Sequence, residues 1–199
     1  TLIRKDLYRN ARPTVLELQR KLQQLGLMEV LEYSASEYAV IQEWIDHERD
    51  FEYAHYQLHT HLTKYAIADR VQGLYYESPQ FIYMRMAMAL SVDQPRERRM
   101  RDVQRFYEHL SKNRINAPTP NHVNLGTPLR GYASCCLYTV GDNARSIAVG
   151  NHIANTMTYM SAGIGAHMAT RSVNDPVRGG VIRHQGKLPY YRALVAEVK

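Results

Sequence analysis

The sequence predicts an α/β chain in two parts: a mainly helical region over residues 1–130, then the first strands and helices of a parallel sheet or barrel over residues 131–199. Three observations predict it. Up to about residue 113 the apolar residues recur three and four apart, the period of a helix face. Residues 132–140, YASCCLYTV, are rich in aromatic and β-compatible residues and stop at Gly141-Asp142, which reads as a buried strand between turns. Beyond them helix, strand, loop and helix patterns alternate, as in a sheet whose crossovers are helical.

Taken in order, Thr14 precedes Val15, Leu18, Leu22 and Leu25, and Gly26 follows as a stop, so a short amphipathic helix is expected. Ser34 and Glu37 form a capping box for a second helix with Tyr38, Ile41 and Ile45 on one face. From Asp46 to Tyr65 the pattern continues helical. There His55 and His59 stand one turn apart with His61 nearby, a spacing suited to zinc, but no third ligand stands at a recognisable spacing and no metal is assigned. Residues 66–76 read as a loop or hairpin turning at Gly73. Ser78-Pro79 opens a third helix that packs Phe81, Met84 and Met88 inward. Asp93-Gln94-Pro95 breaks it, and the next helix turns Met100, Val103, Phe106, Tyr107 and Leu110 inward and its arginines outward. After the strand, Asp142 is placed to cap a helix running to about residue 161, with Ile147, Val149, Ile153, Met157 and Met160 on its buried side. Ala162-Gly163-Ile164-Gly165 ends it, a second strand covers 166–173, a turn-rich basic loop covers 174–180, and Pro189 starts a last helix.

With 199 residues, 45% of them hydrophobic, the chain can bury a core without disulfide staples. It shows no long apolar run and no leader pattern, so a cytoplasmic protein is expected, with no membrane partner. The net charge of +6 favours anionic ligands in general. Arg96, Arg98, Arg99, Arg101 and Arg105 crowd one segment, but Glu97, Asp102 and Glu108 intersperse them, so a solvated helix face is preferred to direct nucleic-acid binding.

Asp142 stands at a strand end and helix start, where α/β folds gather ligands. Arg171 and Arg178 lie seven apart around a turn, beside a Gly179-Gly180 pair that permits close backbone approach. Together they suit a nucleotide, with the carboxylate on a ribose hydroxyl and the arginines on phosphates, though a cap and two loop arginines are also ordinary structural parts. Cys135 and Cys136 are the two cysteines and point to opposite faces of their strand. No adjacent His or Lys activates either, so on chemistry alone they read as structural thiols.

The succession IDHERDFEY, ESPQFIYMRMAMAL, RFYEHLSKNRINAPTP, GTPLRGYASCCLYTVGDNARSI, AGIG and PVRGGVIRHQGKLPYYR resembles, in order from about residue 31 to 192, the amino-terminal part of the class I ribonucleotide reductase large (alpha) subunit, in its bacterial and T-even-phage-like branch. The resemblance implies a helical amino-terminal region in front of a ten-stranded α/β barrel, incomplete within these residues. It implies reduction of ribonucleoside diphosphates to deoxyribonucleoside diphosphates by thiyl-radical chemistry. A thiyl radical takes the 3′ hydrogen, the 2′ hydroxyl leaves as water, and a cysteine pair is oxidised to a disulfide.

By that resemblance Cys135 matches the catalytic first cysteine of the reducing pair, while Cys136 stands at an apolar position and is core. Thr119 and Ser134 match substrate-contacting positions. Asp142, Asn143 and Ala144 match the segment of an allosteric effector site that holds the effector's sugar, and Arg171 and Arg178 match its phosphate-binding arginines. Ser172 to Asn174 replaces a small-residue turn of the family pattern, and no ATP-cone pattern precedes Leu31. No cofactor is expected in the chain itself; the radical comes from a metal-containing small (beta) subunit, and a dNTP or ATP is the effector. The partners implied are a complementary carboxy-terminal chain of the large subunit, a second alpha subunit in a dimer, the small beta subunit, and thioredoxin or glutaredoxin. The radical cysteine and the second reducing cysteine belong to later family segments, so a split or truncated subunit, inactive alone, is expected. The alternative is a non-catalytic nucleotide-binding regulator derived from a reductase.

Overall fold

Thr14 is extended and its hydroxyl accepts from the Glu17 amide at 3.2 Å, while Thr14 N–H donates to the Glu17 carboxylate at 2.7 Å. This reciprocal box starts α1 (Val15–Gln24), and Ser34 with Glu37 repeats it for α2 (Ala35–Trp44). The computed structural model describes residues 12–160 and 162–198. The chain divides into two compact units between Tyr132 and Ala133.

In the first unit a 3₁₀ turn (His47–Glu52) leads to α3 (His55–Thr60), which runs into a π-helical turn (His61–Tyr65). The continuous helix expected from Asp46 is therefore interrupted: Tyr53 and Ala54 are extended, and that bend brings the Tyr53 ring into the core. A two-residue hairpin, β1 (Ala68–Asp69) against β2 (Leu74–Tyr75), turns through Gly73. Then come α4 (Pro79–Ser91), α5 (Arg96–Ser111) and α6 (Thr119–Asn124).

The unit is organised around α4, in which every residue from Pro79 to Met88 is buried. A helix covered on all sides must satisfy its polar groups internally. Gln80 does so by accepting from Tyr107 Oη at 2.8 Å and Ser111 Oγ at 2.6 Å and donating to Asp50 at 2.9 Å. Arg85 does so through Glu77, with Nε to Oε1 at 2.7 Å. The arginines of α5 do not all face outward as expected. Arg99 turns onto Glu37 at 2.8 Å and lies over the Tyr33 ring, because the Glu37 carboxylate is buried and needs a counter-charge.

The second unit is a β-α-β arrangement: β3 (Cys135–Val140), α7 (Ala144–Tyr159) and β4 (Gly163–Met168). The strands pair in parallel, from Cys135 opposite Gly163 to Val140 opposite Met168. A second hairpin, β5 (Pro176–Val177) with β6 (Ile182–Arg183), is joined by a turn at Arg178–Gly180, and α8 (Leu188–Glu197) follows. Val140, Ala154, Met168 and Leu194 form its core.

Three expectations change here. The strand begins at Cys135 and is not buried: Leu137 is 81% exposed, because α7 covers one face and β4 is the strand's one pairing partner among the described residues. The glycines expected to end the helix lie inside β4, where a Cβ on Gly165 would sit 2.5 Å from Leu137 Cδ2, so glycine is what admits the neighbouring strand's side chain. Along α7 the buried residues are Gly150 and Ala154, Ile147, Ile153 and Met157 are half-buried, and Val149 and Met160 are about half exposed. A Cβ on Gly150 would meet Val140 Cγ2 at 2.6 Å, so the helix seats on the strand through its smallest residue. Residue 161, to which that helix was expected to run, lies outside the described residues.

The chain is mostly helical with a few short strands, and β3–β4 is the longest strand pairing among the described residues. None of its described helices is long and apolar enough to cross a membrane.

Candidate functional site

Alternation along β3 separates the two thiols. Cys135, Leu137 and Thr139 are exposed, while Cys136 and Tyr138 are half-buried and Val140 is buried on the side covered by α7. Cys135 therefore lies on the open face, its Sγ 3.8 Å from Ser134 Oγ, and Cys136 on the packed face; both are free thiols.

At the other end of β3 the expected cap is displaced by one residue. Asn143, not Asp142, caps α7, its Oδ1 accepting from Ser146 N–H at 2.8 Å, and Ala144 is the first helical residue. Asp142 is taken by Arg171, accepting from its backbone amide at 3.2 Å and from its Nε at 2.8 Å. Those two bonds hold the Asp142 carboxyl below the usual carboxylate range. Arg171 Nη1 donates in turn to Pro176 O at 2.7 Å, so this guanidinium ties the strand end to the start of the second hairpin.

Arg178 sits at the tip of that hairpin in the left-handed region (φ 50°), followed by Gly179 and Gly180 at φ 66° and 95°. It is exposed; its carbonyl accepts from Val181 N–H at 3.4 Å, while among the described residues no hydrogen bond or ion pair engages its guanidinium. The structure thus joins Asp142, Asn143, Ala144 and Arg171 into one corner and leaves Arg178 on the adjoining loop. Such a corner offers an anion the free guanidinium of Arg178 and the uncommitted Nη2 of Arg171. Thr119 belongs to the helical unit, as the half-buried first residue of α6.

Sequence reasoning missed what holds α6. Beyond Glu77, Arg85 donates to His122 O at 2.9 Å and to Leu125 O, so one buried guanidinium fixes the segment carrying Thr119. A lone arginine within the apolar run FIYMRMAMAL was the available signal. Also missed was an aromatic cluster beside α6, in which His122 stacks on Tyr65 at 4.5 Å and His61 Nε2 lies 2.7 Å from Tyr83 Oη. Burial lowers the pKa of both histidines, that of His122 to about 4. His55 and His59 stack on each other at the surface, and the described residues contain no group of three or more metal-ligating side chains.

Residues 51–130 match the ribonucleotide reductase all-alpha domain. The chain is 34% identical over 169 residues to ribonucleoside-diphosphate reductase 1 subunit alpha of Escherichia coli (strain K12), covering 84% of this chain and 22% of that protein. It is 35% identical over 170 residues to ribonucleoside-diphosphate reductase subunit alpha of Enterobacteria phage T4, with the same coverage. With the corresponding subunit of Buchnera aphidicola subsp. Schizaphis graminum it shares 32% over 202 residues, covering 99% of this chain and 26% of the relative. The chain therefore spans between 22% and 26% of the length of these relatives.

Proposed function

We propose, from the premise that this chain is related over most of its length to the amino-terminal region of the ribonucleoside-diphosphate reductase large subunit, that it forms one wall of that enzyme's active site and part of its effector site. The observation that carries this reading is the match over 84% of the chain to two reductase alpha subunits. In it, Cys135 is the first thiol of the pair oxidised as the 2′ hydroxyl leaves. Its place on the open face of a β-strand supports this role, because a thiol there is held in a fixed position yet reachable by a nucleotide and by a second thiol. Cys136, packed toward α7, is structural.

Ser134 and Thr119 contact the substrate, and the Asp142–Arg171 corner with Asn143, Ala144 and Arg178 receives a dNTP or ATP effector. The Arg171–Asp142 pair supports this role by fixing one guanidinium before any ligand arrives, leaving the exposed Arg178 to close on phosphate. Two adjacent cysteines cannot supply the reducing pair and a separate radical thiol. Turnover therefore needs residues beyond this sequence, on the same or another polypeptide, together with a small subunit to supply the radical, a second alpha subunit, and thioredoxin or glutaredoxin to re-reduce the disulfide.

The deciding experiment compares two variants in the assembled reductase. Cys135→Ser abolishes dithiol-dependent turnover and leaves effector binding intact, while Cys136→Ser keeps turnover. A dead Cys136→Ser enzyme beside an active Cys135→Ser enzyme would overturn the assignment.

A further inference from the structure

A cleft of about 440 Å³ opens in the helical unit beside α6, a size ordinary for a small-molecule site. Among the described residues that line it there is no Asp, Glu, Lys or Arg. Its walls include His61, Tyr65, Tyr83, Asn113, Asn116 and His122.

The hydrogen bonds assign both imidazoles. Gln57 O, 2.8 Å from His61 Nδ1, can only accept, so Nδ1 carries the proton and Nε2 accepts from Tyr83 O–H. His61 is thereby satisfied on both sides. His122 is not. Its Nδ1 lies 3.4 Å from Pro118 O, a long contact in which the carbonyl can only accept, so the geometry favours the tautomer with the proton on Nδ1 and the lone pair on Nε2. That nitrogen has no partner among the described residues and is not among the atoms sealed from solvent, although the residue is only 3% exposed. A neutral acceptor that no protein group occupies, opening on an aromatic cleft, is free to take a ligand that donates. The ring is held for that task by stacking on Tyr65 and by edge contacts with Tyr83 and His61.

We propose that this cleft binds a neutral planar heterocycle with an N–H donor on its edge, the donor meeting His122 Nε2. The far edge of the ring is read by the amides of Asn113 and Asn116, and its face is covered by Tyr56 at the rim. The chemistry is that of a nucleobase without its phosphates, since none of the described lining residues is a lysine or arginine to meet a phosphate. The proposal uses none of the residues assigned to catalysis or effector binding above, and stands or falls apart from them.

The test titrates the 199-residue chain, carrying ¹⁵N-labelled histidine, with adenine, benzimidazole and dATP, read at the His122 ring nitrogens, and measures the affinities of wild type and variants by calorimetry. Millimolar adenine and benzimidazole shift the His122 Nε2 resonance, and dATP perturbs it no more strongly than adenine. His122→Phe weakens binding about tenfold, the effect of losing one buried hydrogen bond. Tyr56→Ala, at a position 70% exposed and so safe for the fold, weakens it several-fold. Three results would each overturn the proposal: a His122 resonance that neither heterocycle moves, affinities unchanged in both variants, or a dATP response at His122 that exceeds that of adenine.

Discussion

Replacing Arg85 by Met would remove the cation that, among the described residues, pairs with Glu77, while keeping the length and volume of the side-chain stem. The wild-type guanidinium makes four contacts: Glu77 Oε1 at 2.7 Å, Glu77 Oε2 at 3.1 Å, His122 O at 2.9 Å, and Leu125 O. The two side chains are 2% and 1% exposed, so water cannot take over the freed carboxylate. Breaking a buried pair from one side costs about 3–5 kcal/mol, against a total stability of about 5–15 kcal/mol for a domain of ordinary size. We expect Arg85→Met to cost about 4 kcal/mol. The double variant Glu77→Gln/Arg85→Met should cost less than the sum of the single changes, because a neutral amide can still accept from Ile67 N–H, which now bonds Glu77 Oε2 at 2.9 Å. Urea denaturation followed by the fluorescence of Trp44, the sole tryptophan and a residue of the helical unit, measures this directly. Amide exchange over residues 119–124 should accelerate in parallel. A loss below about 1 kcal/mol in Arg85→Met, or strict additivity in the double variant, would refute the claim that this pair anchors α6.

Other outcomes follow from the same structure. Gly150→Ala should destabilise the second unit despite alanine's helix preference of about 1 kcal/mol, because its Cβ would meet Val140 Cγ2 at 2.6 Å; slower amide exchange in β3 would contradict this. His47 and His122 are both pushed down to about 4 by burial, and His61 is lowered as well. The unfolded chain then binds more protons than the folded one, so stability is full above about pH 6.5 and falls as pH drops toward 4. The urea midpoint read at Trp44 should show that slope, and His122→Phe should flatten it. Arg178→Ala should weaken dNTP binding about tenfold by removing a charge-assisted phosphate contact. Unchanged affinity in calorimetry would remove Arg178 from the effector site.

Local features were legible in the sequence. The capping box at Ser34 and Glu37, the helix stop at Gly26, the proline opening α4 and the opposite faces of Cys135 and Cys136 each depend on residues within one turn or one strand step. The blocks that resemble a reductase large subunit were legible too, because their order along the chain survives without any coordinates. Helix ends were read less well. Asp142 looked like a cap by position, and nothing nearby in sequence announced Arg171, 29 residues on, as its partner.

The sequence by itself determined most of the longer helices, the strand that carries both thiols and their opposite faces, and the kinship with reductase large subunits. Tertiary structure alone decided where the charges go and how closely the elements approach. Arg85 meets Glu77 and two carbonyls of the α6 segment, Arg99 meets Glu37 from 62 residues away, and Gly150 and Gly165 admit the side chains of β3. The physical reason is range. Backbone preference and periodicity act over a few residues and can be read from order alone, whereas a buried charge or a missing Cβ acquires its role only from groups that folding brings near.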